Sequence, residues 1–152
     1  MESDLTELTA SQLAAAIATG ACSAQEAAQS FLDRIDAVDP ALNAILEVNP
    51  AAMEIASERD ESRARGDERG PLDGVPVVLK ANIDTGDDMA TSAGSLALAK
   101  HRAERDAPLV ARLREAGAVV LGKTNLSEWA NFRSTARGEV PCWRRCGARR
   151  GR

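Results

Sequence analysis

Lys80 closes a short apolar run, Gly74-Val75-Pro76-Val77-Val78-Leu79-Lys80-Ala81-Asn82-Ile83-Asp84, and is one of three lysines set against sixteen arginines. An ammonium just past a buried strand, in a chain that otherwise takes arginine, suits a group that must lose its proton, which a guanidinium cannot do. Ligands of open parallel sheets bind outside the carboxyl ends of the strands, so the position favours proton transfer. A surface lysine snorkelling at a strand end is the competing reading. A second candidate is Thr91-Ser92-Ala93-Gly94-Ser95. Five small residues, three of them hydroxylated, let the backbone approach another segment or a substrate closely. Composition weighs that equally with an ordinary turn before a helical Leu96-Ala97-Leu98-Ala99.

Other chemistry-bearing patterns fail on context. Gly117-Ala118-Val119-Val120-Leu121-Gly122-Lys123-Thr124 fits the phosphate-loop pattern letter for letter. Its variable positions are Ala-Val-Val-Leu, however, which read as a strand whose amides serve the sheet ladder, so nucleotide binding is rejected. Asn125-Leu126-Ser127 is formally a glycosylation sequon, but the acidic N-terminus Met1-Glu2-Ser3-Asp4-Leu5 is no secretory signal, and structural duty is expected. Cys142 and Cys146 have no nearby histidine or further cysteine to complete a zinc site. His101, the only histidine, stands between Lys100 and Arg102 and is expected in solvent, which leaves no histidine for a triad.

The elements that must position Lys80 follow from local signals. Thr9 with Gln12 and Ser23 with Glu26 form two capping boxes, each opening a helix. Gly20 ends the first. The second carries Ala24, Ala27, Ala28, Phe31, Ile35 and Val38 on one face, and Asp39-Pro40 is expected to stop it. Leu42 to Val48 is read as extended. Asn49-Pro50 has the cap-then-proline form of a third helix start, polar from Glu58 onward. Gly66 to Gly74 is a loop that closes this helical prologue.

Beyond it, Val75–Leu79 and Ala118–Leu121 are Val-rich apolar runs, the pattern of strands covered on both faces. Between them Asp106 is expected to cap a helix with Pro108 in its first turn, Leu109, Val110, Leu113 and Ala116 as its buried stripe, and Gly117 as its end. Strand, connection, helix, strand is a parallel crossover unit, which predicts an α/β sheet with helices on its faces. Ser127 with Trp129, Ala130 and Phe132 reads as a further helix beginning.

At 152 residues and 44% hydrophobic the chain has the size of one domain with apolar surface for a core. A net charge of -4 argues against a general polyanion binder. Residues 138–152 carry five arginines against Glu139, a net of +4, so residues 1–137 carry -8. The odd cysteine count, Cys22, Cys142 and Cys146, gives no complete disulfide framework and points to a reducing compartment. No apolar run reaches membrane-spanning length. A cytoplasmic protein with no membrane and no nucleic-acid partner is expected.

Taken in order, Gly70-Pro71-Leu72-Asp73-Gly74-Val75-Pro76, Leu79-Lys80-Ala81-Asn82-Ile83-Asp84-Thr85, Thr91-Ser92-Ala93-Gly94-Ser95, Asp106-Ala107-Pro108 and Glu115 to Asn125 resemble the amidase signature family. Leu126 to Ser134 is most similar to its peptide-amidase-like branch, and Leu42-Asn43-Ala44-Ile45 resembles the family's prologue. The resemblance implies the N-terminal part of an α/β/α fold around a mixed sheet: a helical prologue over 1–69 and the start of the α/β core over 70–134. It also implies hydrolysis of a carboxamide to acid and ammonia, on a small-molecule amide, with no cofactor and no metal. Family members use a serine nucleophile, a second serine joined through a cis peptide bond, and a lysine, and Lys80 matches that lysine.

A neutral lysine can take the proton relayed from a serine hydroxyl and return it to the departing amine, provided burial or nearby positive charge lowers its pKa. After Ser134 the chain departs from the Gly/Ser-rich signature, so both catalytic serines are missing and the chain alone is expected to be inactive. Ser92, Ser95 and Ser134 stand outside that signature. Residues 135–152 form a non-family basic tail, read as the frameshifted translation of a GC-rich gene; translating the resequenced DNA beyond the Ser134 codon in all three forward frames tests this. A nucleic-acid-binding tail is the rival, supported only by one basic run without aromatic repeats. Two further alternatives are the amidase-type subunit of the tRNA-dependent glutaminyl/asparaginyl amidotransferase, working with partner subunits, and a non-catalytic binding fragment.

Overall fold

The structure, a computed structural model, describes residues 4–130. Both capping boxes form. Thr9 opens α1 (Ala10–Ala18) and Ser23 opens α2 (Ala24–Leu42), each exchanging hydrogen bonds with its glutamine or glutamate partner three residues on. Gly20, at φ 73°, turns the chain between them. The expected stop at Asp39-Pro40 comes one turn too early. Proline at that point removes a single hydrogen bond near the end of a long helix, which α2 tolerates. It runs through Pro40 to Leu42 and ends on Asn43 in the left-handed conformation, while the Asp39 carboxylate accepts from the amides of Ala44 and Ile45. Val38 falls on the exposed side rather than in the stripe.

Strand β1 (Ile45–Val48) leads to α3 (Ala52–Ala64). Asn49 does not cap α3 in the expected way. It is buried and uses its side chain to brace the turn ahead of the helix: Oδ1 accepts from the Ala51 amide at 3.0 Å and Nδ2 donates to the Val120 carbonyl at 2.8 Å. The polar end of α3 is not a solvated face. Arg59 and Ser62 continue the buried line of Ala52 and Ala56, and Arg59 and Arg63 both reach the buried Asp73 carboxylate, at 3.4 and 3.0 Å. Asp60 accepts from the amides of Ala24 and Gln25, so this ionic cluster also satisfies the start of α2.

Strand β2 (Pro76–Lys80) crosses over through α4 (Pro108–Glu115) to β3 (Val119–Thr124), giving the expected parallel pair. β1 joins the other edge of β3 antiparallel, so the sheet is mixed, in the order β1-β3-β2. The first helix-side cluster packs Ala24, Ala28, Ala52 and Ala56 against Val119 and Leu121. On the opposite face Val110 of α4 packs on Leu79, Met89 and Val120. Helices α2 and α3, the sheet and α4 are therefore three layers. Val119 and Val120, fully buried on opposite faces, each contribute about 1.5–3 kcal/mol.

Among the described strands only β3 is covered on both faces. β2 is an edge strand with Val78 44% exposed, a correction to the expectation for Val75–Leu79. Leu121 is the extra residue of a bulge opposite Val77 and Val78. At Gly122 a Cβ would stand 2.5 Å from the Glu47 carbonyl, so glycine is what lets β1 pair there.

The ends of the crossover also differ from expectation. Ala107, not Asp106, is the N-cap of α4; the Asp106 carboxylate instead accepts from the Gly86 amide at 2.7 Å and from Arg114 at 3.0 Å. Leu109 lies on the exposed side. Gly117, at φ 90°, ends the helix as its sequence implies. Leu96–Leu98 and Glu128–Ala130 are single 3-10 turns rather than helices, the latter with Trp129 and Ala130 at positive φ. Phe132, Ser134, Cys142, Cys146 and the basic tail 135–152 lie outside the described residues.

Candidate functional site

Lys80 is the last residue of β2, paired in parallel register with Thr124 of β3. Leu79 packs on the α4 side, so alternation turns Lys80 toward the other face, where its side chain is half-buried. From there the chain leaves the sheet under tight control. The Ala81 amide donates to the Thr124 carbonyl at 3.1 Å and the Ile83 amide to the Lys80 carbonyl at 2.9 Å. The segment Thr91–Ser95 then comes back across this edge, and all five residues are buried. The Ala93 amide donates to Ala81 O at 2.9 Å, and the Trp129 amide donates to Ala93 O at 2.8 Å. Gly94 sits at φ 73° where a Cβ would be 2.9 Å from Leu126 O. Close approach to another segment is thus what the small residues provide, and they do so within a turn that leads into Leu96–Leu98.

Lys80, the small-residue turn and the Leu126–Trp129 segment that follows β3 converge at the carboxyl edge of the parallel pair. Ser95 Oγ donates to Glu128 Oε1 at 2.9 Å, and Ser92 Oγ accepts from the Gly94 amide at 3.3 Å. A cavity of about 340 Å³ opens alongside, lined in part by Glu47, Ser92, Ser95, Leu96, Lys100 and Arg102. That is room for a small molecule.

One buried charge was missed in the sequence. Lys123, in the rejected phosphate-loop pattern, is fully buried; its Nζ donates to the Ile83 carbonyl at 2.5 Å and to Thr91 Oγ1 at 3.4 Å. Burial pushes its pKa below the ordinary 10.5, the carboxylates of Asp87, Asp84 and Glu47 pull it back up, and Arg114 adds a smaller downward push. The available signal was a lysine at the end of a run that reads as a buried strand. Gly117–Thr124 otherwise behaves as read, with Val119–Thr124 in the ladder. Asn125 has structural duty, its amide and Nδ2 donating to the carbonyls of Ala44 and Asn43. His101 is exposed. Among the described residues no group of three His, Cys, Asp or Glu side chains is set to hold a metal, and no helix is long and apolar enough to cross a membrane.

The sequence matches the family described as Amidase over residues 26–140. The chain belongs to the amidase family. The native peptide amidase from Stenotrophomonas maltophilia superposes with a TM-score of 0.79 at 52% identity, over 85% of this chain and 27% of that one. A putative amidase of Schizosaccharomyces pombe is 45% identical over 130 residues, 86% of this chain and 22% of that protein. A glutamyl-tRNA(Gln) amidotransferase subunit of Salinispora tropica is 46% identical over 133 residues, 87% of this chain and 27% of that protein. The amidase chain described here therefore spans about a quarter of the length of these relatives. Its three-layer arrangement with a mixed sheet is the N-terminal part of the amidase-signature fold.

Proposed function

We propose that this chain contributes the lysine of a Ser/Ser/Lys site that hydrolyses a small carboxamide to a carboxylate and ammonia. The observation that carries the reading is the place of Lys80: the carboxyl end of β2, where a buried turn of small residues is hydrogen-bonded to the next residue, Ala81. In this reading Lys80 Nζ takes the proton relayed from a serine hydroxyl as the serine oxygen attacks the amide carbon. It returns that proton to the nitrogen as the C–N bond breaks, and water then hydrolyses the acyl-serine. In this reading residues 70–134 are the start of the catalytic core and residues 1–69 its helical prologue, which lends β1 to the same sheet. The two signature serines are not among these 152 residues, so the chain expressed by itself hydrolyses no amide. An acidic, cysteine-poor sequence suits a cytoplasmic setting and disfavours a nucleic-acid partner.

The likeness to an amidotransferase subunit supports a second reading, in which the same site works beside partner subunits. The higher identity to the Stenotrophomonas peptide amidase favours the free-standing one. A chimera separates the claims. Residues 1–134 replace the matching segment of that peptide amidase, and ammonia release from an amidated peptide is measured beside the 152-residue chain alone. The chimera is expected to turn over and to lose turnover in Lys80→Ala, while the chain alone stays at blank. A chimera whose activity ignores Lys80→Ala removes the lysine from the mechanism.

A further inference from the structure

Between Lys80 and Thr91 the chain makes an excursion over the carboxyl edge of the sheet, and both ends of that excursion meet one buried amine. Lys123 belongs to the middle strand, the element covered on both faces, and none of its surface reaches solvent. Its Nζ donates to Ile83 O, three residues past Lys80, and to Oγ1 of Thr91, the first residue of the small-residue turn. Thr91 Oγ1 in turn lies 3.5 Å from the same Ile83 carbonyl, so the three groups close a triangle. The Thr91 amide is held separately by His101 O, and the far side of the excursion is tied by Asp87 to Arg114 and by the Ala90 amide to Glu47. The Lys123 triangle links the outgoing and returning arms of the excursion through a side chain rooted in the middle of the sheet.

We infer that Lys123 is a positioning residue, which clasps Ile83 to Thr91 and thereby holds Lys80 in register with the Thr91–Ser95 turn. The inference rests on the reading of Lys80 as the proton-transfer group, and it acts through geometry alone. A buried amine with few acceptors is costly to place in a sheet, and its burial pushes the pKa down while three neighbouring carboxylates oppose that push. A methionine of similar length would fill the space without the donors. The clasp therefore has a function that packing does not supply. Leu79, which pairs with Lys123 across the ladder, packs in the α4 cluster, and Lys80 follows it directly. Ile83 packs against that same cluster, and its amide donates to the Lys80 carbonyl, so slackening Ile83 reaches Lys80 directly.

The test uses the fact that this chain has only three lysines, Lys80, Lys100 and Lys123. The 152-residue chain is reductively methylated with ¹³C-formaldehyde in limiting amounts, and modification of each lysine is followed by peptide mass and by the dimethylamine NMR signals. Compared are wild type, Lys123→Met, Thr91→Val and Thr91→Ser. Loss of the Lys123–Thr91 hydrogen bond is expected to raise the modification rate of Lys80 about fivefold in Thr91→Val, and Lys123→Met, which loses the bond to Ile83 as well, should raise it at least as much. Lys100 should stay at its wild-type rate in every variant, and Thr91→Ser, which keeps the hydroxyl, should behave as wild type. Thr91→Val keeps the question answerable if Lys123→Met does not fold. Equal Lys80 rates in wild type and Thr91→Val, or Lys80 and Lys100 rising in step, overturn the inference. The readout needs no amide turnover, so its failure is separate from failure of the chimera.

Discussion

Replacing Asp73 with alanine removes the one carboxylate that two arginines of α3 share. Asp73 is 8% exposed. The Arg59 side chain beside it is 6% exposed, and Arg63 donates to both its carboxylate and its carbonyl. Asp73→Ala leaves Arg59 buried with the neutral Ser62 hydroxyl in place of a counter-charge. Breaking a buried pair from one side costs about 3–5 kcal/mol, a large part of the ~5–15 kcal/mol that holds a typical domain folded. Asp73→Asn keeps an acceptor and should lose about 1.5–3 kcal/mol. Asp60→Ala is the control: it pairs with Arg63 at the more open edge of the cluster and serves the first amides of α2, so about 1–2 kcal/mol is expected. Urea unfolding followed by circular dichroism reads all three, with the slope m required to stay constant. Adding Arg59→Met to Asp73→Ala should recover part of the loss, because the stranded charge is then gone. A cost below about 1 kcal/mol for Asp73→Ala, or no coupling in the double variant, would refute the view that this cluster is a buried, mutually dependent network.

Two further outcomes follow from the buried titratable groups. Because burial lowers the Lys123 pKa in the fold, the unfolded chain binds more protons between that lowered value and 10.5, so this residue makes stability rise with pH across that window. The stability difference between wild type and Lys123→Met, measured by urea melts at stepped alkaline pH, should therefore move in favour of wild type as pH increases; a flat or opposite trend contradicts the assignment. Cys22 is buried, and burial, then the Glu26 and Asp60 carboxylates, push its thiol above the ordinary 9.0. Peptide mapping after brief native iodoacetamide treatment at neutral pH should find Cys22 unmodified, and rapid alkylation there would show that the α1–α2 cluster opens.

What could be read from the sequence was what is decided locally. The two capping boxes, the left-handed glycines at 20 and 117 and the crossover from β2 to β3 depend on neighbours within a few residues, and all are present. The position of Lys80 at the end of β2 was legible for a similar reason, since a lysine closing an apolar run has a fixed place in a parallel unit. The misses depend on partners distant in sequence. Asp106 has the residue type of a cap but is drawn off by Gly86 and Arg114. The end of α3 looks solvated because its buried line continues in Arg59 and Ser62, whose partner Asp73 lies beyond a loop. Lys123 drew no attention because its acceptors, Ile83 and Thr91, belong to a loop with no pattern of its own.

The order of strands carries a consequence for how the chain acquires its shape. β3 is the last of the described strands in sequence and the middle one in space, while β1 and β2 do not pair with each other. During vectorial synthesis α1, α2 and α3 can assemble from their own caps, but neither outer strand has a ladder to join until residues 119–124 leave the ribosome. Closing the long loops to β3 is then the slow event. Until it happens, Val77, Val78 and Leu79 stay available to any passing strand, which leaves the nascent chain prone to aggregation.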